Sequence, residues 1–169
     1  MRTPADPAPE RSSPSPFRAT WFLRTFGLTK VPLIWYVRPR VLELSDERIE
    51  VVIPLRWRTK NHLGAMYFGA LAVGADIAGG LMAVRLIDES GVKISFVFKD
   101  LRAEFLKRAE GDVHFVSNSG KLARELVARA ISSGERCNES IAVTATVPTK
   151  LGDEPVAKFI LTLSIKRSK

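Results

Sequence analysis

The chain has 169 residues, 46% of them hydrophobic and 26% charged, a balance that fits one soluble globular domain rather than two and needs no cross-links to hold a core. Cys137 is the sole cysteine, which excludes an intrachain disulfide framework and a thiolate metal cluster; no metal site is expected, and a reducing, cytoplasmic setting is the natural inference. The net charge of +8 points to nucleic acid, an anionic membrane surface or a small polyanionic ligand, with solvated strand faces as the plainest account. Basic residues are scattered as Arg38/Arg40, Arg56/Arg58/Lys60, Lys107/Arg108 and Lys166/Arg167/Lys169, with no groove-reading helix or base-stacking motif, so no nucleic-acid partner is expected.

Residues 1–16 hold five of the ten prolines and few large apolar side chains, which predicts a disordered tail ahead of a single domain at 17–169. The tail has neither the apolar run of a secretory signal nor the arginine content of a transit peptide. Within residues 17–36, Phe17, Trp21, Phe22, Phe26, Trp35 and Tyr36 are interspersed with Arg18, Arg24 and Lys30. The spacing of Trp21, Phe22 and Phe26 predicts one face of a short amphipathic helix ending near Gly27, either packed on the core or lying on a membrane surface. Strands are predicted at 37–44 and 48–55, the first at a sheet edge because Pro39 cannot donate to a ladder.

Residues 63–84 form an apolar stretch rich in alanine and glycine, long enough to cross a membrane. Asp76 near its centre, its five glycines and the alternating segments around it predict instead a helix enclosed by protein. Each interior glycine costs roughly 1 kcal/mol of helix propensity, so close packing must compensate.

After a turn at 88–91 the chain alternates at Ile94, Phe96 and Phe98, at Val113 and Phe115, and at Ile141, Val143, Ala145 and Val147. The final run is the clearest: Ala157, Phe159, Leu161, Leu163 and Ile165 share one face, and residues 151–155 supply the connection before it. One helix is inserted at 121–132, with Asn118 or Ser119 as its cap and Leu122, Leu126, Ala130 and Ile131 as its buried stripe. A run of strands around one dominant helix implies an α+β fold, an antiparallel sheet curled about that helix.

That order, with Asn61, Gly64, Gly69 and Asp76 at their spacing, resembles the hot-dog thioesterases, nearest to the phenylacetate-pathway and YiiD-like branch, over residues 35–167. Tyr67 and Phe68 stand where that branch places a His and a first Gly opening the central helix. The segment 105–113 and the inserted helix look like an uncharacterised subgroup of the superfamily. The resemblance implies a hot-dog fold, a homodimer, with pairing of dimers into a tetramer left open, and hydrolysis of acyl-CoA thioesters, with coenzyme A as part of the substrate and no other cofactor. A non-catalytic acyl-CoA or lipid-binding protein of the same fold is the alternative.

Thioester hydrolysis needs an activated water and donors for a developing oxyanion, and a thiolate leaves readily. Asp76, without a cation nearby in sequence, is the expected base or nucleophile; the rival role is a hydrogen-bonded structural acid. The amides of Phe68 and Gly69, in the first turn of the helix, are the expected oxyanion donors. Asn61 either fixes the preceding loop or orients water. His62, Gly64, Met66 and Tyr67 are the expected substrate-binding residues. Seven residues separate Gly69 from Asp76, which puts them on nearly one helix face about 10 Å apart. One carbonyl cannot touch both, so antiparallel pairing of two helices across a two-fold axis is expected to build a composite site.

Overall fold

The alternation of the last segment is realised in full: Ala157, Phe159, Leu161, Leu163 and Ile165 are all at most 1% exposed. They belong to β6 (Pro155–Arg167), the longest strand in a computed structural model that describes residues 14–168. In chain order the elements are α1 (Pro16–Lys30), α2 (Pro32–Val37), β1 (Arg40–Leu44), β2 (Ile49–Ile53), α3 (Phe68–Ser90), β3 (Ile94–Phe105), β4 (Val113–Ser117), α4 (Gly120–Ser133), β5 (Cys137–Thr146), α5 (Pro148–Leu151) and β6. The six strands form one antiparallel sheet in the order β1-β2-β4-β5-β6-β3. The sheet curls about α3, which is the hot-dog architecture.

At 23 residues α3 is long and apolar enough to cross a membrane, yet most of it is buried against the chain's own strands and helices. Its small residues explain how. A Cβ placed on Gly74 would stand 2.2 Å from the ring of Phe115, itself fully buried, so the helix rests directly on an aromatic of β4. The helix begins at Phe68, five residues after the apolar stretch does, and stops where Gly91 takes φ 64°.

The N-terminal region differs from expectation in three ways. The predicted tail lies outside the described residues up to 13, while Ser15 caps α1 and Pro16 opens it. The face of α1 that meets the core is Ala19, Leu23 and Gly27, with Phe26 of the expected aromatic face partly buried against the core and Trp21 left 68% exposed. Close approach decides this: a Cβ on Gly27 would fall 2.7 Å from the backbone nitrogen of Trp35, so α1 meets the α2 backbone at a residue without a side chain. Finally, the first strand starts at Arg40, because Pro32 opens a second helix that takes Val37 and ends at Arg38 with φ 52°. Thr20 ties α1 to the β1 edge, its hydroxyl oxygen accepting from the Val41 amide at 2.8 Å.

The inserted helix is present, with its buried stripe shifted to Ala123, Leu126, Val127 and Ala130, while Leu122 is 40% exposed. A tight contact selects this rotation, since a Cβ on Gly120 would meet the Asp46 carbonyl oxygen at 2.1 Å. At the far edge β3 pairs only with β6, and among the described residues its outer edge is unpaired. It runs 12 residues with Val97, Leu101 and Phe105 each more than 40% exposed.

Candidate active site

The sheet leaves one stripe of α3 uncovered. Gly69, Ala72, Val73 and Asp76 are only partly buried and recur at the three- and four-residue spacing of a single helix face, with Val84 about two turns further on. Asp76, two turns in, lines a cleft of about 300 Å³ with Phe22 and Phe26 of α1, Ile34 of α2, Gly80 and Leu81 of α3, and Phe96–Phe98 of β3. Every other side chain lining that cleft is apolar. Burial raises the Asp76 pKa above the usual carboxylate value, with no neighbouring charge or hydrogen bond offsetting it. The nearest cation on α3, Arg85, is held by Glu89 at 2.8 Å and Asp46 at 2.5 Å.

Two turns earlier the helix start is pinned from below. The Tyr67 amide donates to the Thr59 carbonyl and the Met66 amide to the Ala109 carbonyl, both at 2.8 Å. Thr59 is itself 1% exposed, its hydroxyl donating to the Pro54 carbonyl at 2.7 Å while accepting from the Arg56 amide at 2.9 Å. Sequence reasoning assigned Thr59 no role, because a single threonine among basic residues carries no signal of its own.

Asn61 fixes the loop that follows. Its side-chain oxygen accepts from the amides of Leu63 at 2.9 Å and Ala65 at 3.2 Å, closing a turn in which Gly64 has φ 80°. Of the two roles open to Asn61, this geometry serves loop fixation. His62 and Gly64 are exposed in the same turn, and Met66 is 3% exposed with its side chain in the core, so neither the turn nor Met66 lines the Asp76 cleft. His114 lies apart on β4, its Nδ1 2.7 Å from Glu50.

Tyr67 is the N-cap of α3 and makes no side-chain capping bond. Its carbonyl accepts from Ala70 and Leu71, and the Phe68 and Gly69 amides occupy the first turn, where intrahelical acceptors are missing. The Tyr67 ring lies over Gly69, so that a Cβ there would come within 2.6 Å of it. Phe68 leans on Tyr67 and on Phe105 of β3, with ring centroids 4.7 and 6.4 Å apart. Within one chain these amides and Asp76 share a helix face but not a cavity, since neither Phe68 nor Gly69 lines the Asp76 cleft.

The fold is that of several solved structures, all distant in sequence. A protein of unknown function from Pseudomonas aeruginosa, described as a probable thioesterase, is 21% identical over 88% of this chain and 96% of its own, with a TM-score of 0.72. One of unknown function from Chlorobaculum tepidum TLS gives a TM-score of 0.77 at 14% identity, over 90% of this chain and 97% of its own. A mutant thioesterase from Pseudomonas aeruginosa gives 0.67 at 18% identity, over 94% of this chain and 98% of its own. No curated protein matches the sequence. A family profile does, across residues 19–165, and the chain therefore belongs to the family described as Domain of unknown function (DUF4442).

Proposed function

We propose that this protein is a cytoplasmic, homodimeric acyl-CoA thioesterase-like hydrolase with Asp76 as its base. One observation carries the reading: a partly buried carboxylate without a charge or hydrogen-bond partner to offset its burial, facing an apolar cleft on the uncovered stripe of α3. An unpartnered buried acid is destabilising, and such groups collect where function requires them. The thioesterase-like structural neighbours support the reaction class. Its nearer placement in the phenylacetate-pathway branch rests on Asn61, Gly64, Gly69 and Asp76 alone.

In the dimer, β3 pairs with its counterpart along the unpaired edge, converting a long exposed edge that carries Val97, Leu101 and Phe105 among charged residues into sheet interior. The two α3 helices then lie antiparallel, and Gly69 of one stands opposite Asp76 of the other. Asp76 accepts a proton from water as the water oxygen bonds to the thioester carbon. The carbonyl oxygen becomes an oxyanion facing the Phe68 and Gly69 amides of the second chain, where the helix dipole favours negative charge. Collapse breaks the C–S bond and expels the thiolate, which takes up the proton held by Asp76. The acyl group occupies the cleft between Phe22, Phe26, Phe96 and Phe98. Asn61 and Thr59 position the donors and touch no reacting atom.

A second reading, an acyl-CoA- or lipid-binding protein without turnover, draws on the Tyr67 ring lying over Gly69, where a substrate oxygen would approach. Purified protein assayed on short, medium, long and aryl acyl-CoAs separates the two. Hydrolysis abolished in Asp76→Asn supports catalysis; hydrolysis that survives it removes Asp76 from the mechanism. Saturable binding with no turnover of any acyl-CoA favours the second reading.

A further inference from the structure

α1 is apolar on two sides, and only one of them meets the core. Phe17, Trp21 and Leu28 project from the side opposite Ala19 and Leu23, and they are 80%, 68% and 59% exposed. With Thr25 and with Trp35 of α2, Trp21 and Leu28 line a groove of about 280 Å³ bounded by Arg24 and Arg38. Those two arginines also line an adjoining concavity of about 360 Å³, completed by Arg40, Arg56, Arg58 and the 70% exposed Trp57. All three tryptophans of the chain and five arginines thus form one continuous surface, and no acidic side chain lines either concavity.

The arginines are held in place rather than neutralised. Arg24 donates to the Pro39 carbonyl and Arg58 to the Tyr36 carbonyl, each at 3.2 Å. The Arg58 guanidinium lies over the rings of Tyr36 and Trp57, 5.3 and 5.4 Å from their centroids. The nearest carboxylate contact, Asp112, reaches only Arg56, at 3.8 Å. Neither concavity shares a lining residue with the Asp76 cleft or with β3, so both lie outside the proposed acyl cleft and the proposed dimer edge.

We infer that this surface docks the protein on an anionic phospholipid bilayer, the arginines meeting lipid phosphates and the outer face of α1 entering the headgroup and upper acyl region. Tryptophan, tyrosine and arginine together on one face match the chemistry of that boundary, where one end of each side chain is apolar and the other wet. Charge selects the occupant: two copies of so basic a surface repel each other, whereas an acidic bilayer attracts it. The aliphatic Leu28 and Leu33, the latter 55% exposed, suit acyl chains and offer nothing to a stacked base.

The test is flotation of the full-length protein with phosphatidylcholine vesicles and with vesicles containing phosphatidylglycerol, read together with tryptophan emission. Expected is binding to the acidic vesicles alone, weakened by salt, with a blue shift because all three reporters enter the interface. Arg40→Gln with Arg56→Gln, and separately Trp21→Ser with Leu28→Ser, should each lower binding at least tenfold. Unchanged circular dichroism and thermal melts would show that the variants fold. Hydrolysis of soluble acyl-CoA without vesicles is measured in parallel, so failure of the proposed reaction and failure of docking are read separately. Docking is overturned by equal binding to neutral vesicles, by binding that survives both double variants, or by no vesicle binding. Absent vesicle binding, titration with inorganic phosphate, coenzyme A or an RNA oligonucleotide identifies what the arginines hold instead.

Discussion

Gly74 and Gly79 lie five residues apart on α3, and replacing each with alanine should move stability in opposite directions. Helix propensity alone makes both changes favourable by about 1 kcal/mol. At Gly79 nothing opposes it: the new Cβ would lie 3.5 Å from Leu161 and 3.7 Å from Phe98, ordinary contact distances. At Gly74 the new Cβ would stand 2.2, 2.3 and 2.6 Å from three atoms of the Phe115 ring. The two shortest are more than an ångström inside the roughly 3.5 Å at which carbon atoms pack. Phe115 is 0% exposed and rests against Phe159 at a centroid separation of 6.5 Å, so its ring has nowhere to retreat. Overpacking of this kind costs up to about 3 kcal/mol, leaving Gly74→Ala destabilised by about 2 kcal/mol after the propensity gain. For a domain of this size each kcal/mol moves Tm by about 2–4 °C. Thermal melts should therefore show Gly79→Ala about 2–4 °C above the parent and Gly74→Ala about 4–8 °C below it. Adding Phe115→Leu to Gly74→Ala should cost less than Phe115→Leu does in the parent. Two variants stabilised alike would refute the claim that α3 sits directly on Phe115.

Burial raises the Asp76 pKa, so the folded chain holds that proton more tightly than the unfolded one. Its contribution to stability is present below the ordinary value of 3.8 and is lost as pH rises toward the raised native value. Asp76→Asn should therefore melt higher than the parent at neutral pH, the difference vanishing in acid; a lower melt at neutral pH would mean the carboxylate has a structural partner. Leu161→Ala removes a side chain 1% exposed between sheet and helix and should cost about 2–5 kcal/mol in urea unfolding. Leu101→Lys places a charge on β3 at a residue 42% exposed; under the proposed β3 pairing, sedimentation should show a parent dimer giving way to monomer with the fold intact, and a parent that sediments as monomer refutes that pairing.

The period-two pattern of residues 157–165 and the apolar run around Asp76 were readable because each depends on neighbours along the chain. A strand buried on one face must alternate, and a helix enclosed on nearly all sides must be apolar nearly all round. Those two signatures were enough for an antiparallel sheet around one helix, whereas Asp76 became the candidate base or nucleophile only through the resemblance carried by Asn61, Gly64, Gly69 and Asp76 itself. The rotation of α1 and α4 was not readable. Trp21 and Leu122 look like core residues by hydrophobicity, yet Gly27 and Gly120 admit backbone contacts that turn those side chains outward. The hydrogen bonds Asn61 makes, the burial of Met66 and the support given by Thr59 likewise depend on groups brought together by the fold rather than by spacing.

Asp76 itself shows the division. That it is an acid in an apolar helix follows from the chain alone, since composition and period are local properties. That it faces a cleft walled by α1, α2 and β3, with no charge or hydrogen bond to offset its burial, was decided by packing between segments up to 76 positions apart in sequence, from Phe22 to Phe98. The same packing turned Trp21 away from that cleft and set it beside Arg24 and Arg38, because α1 meets the α2 backbone at Gly27, a residue without a side chain.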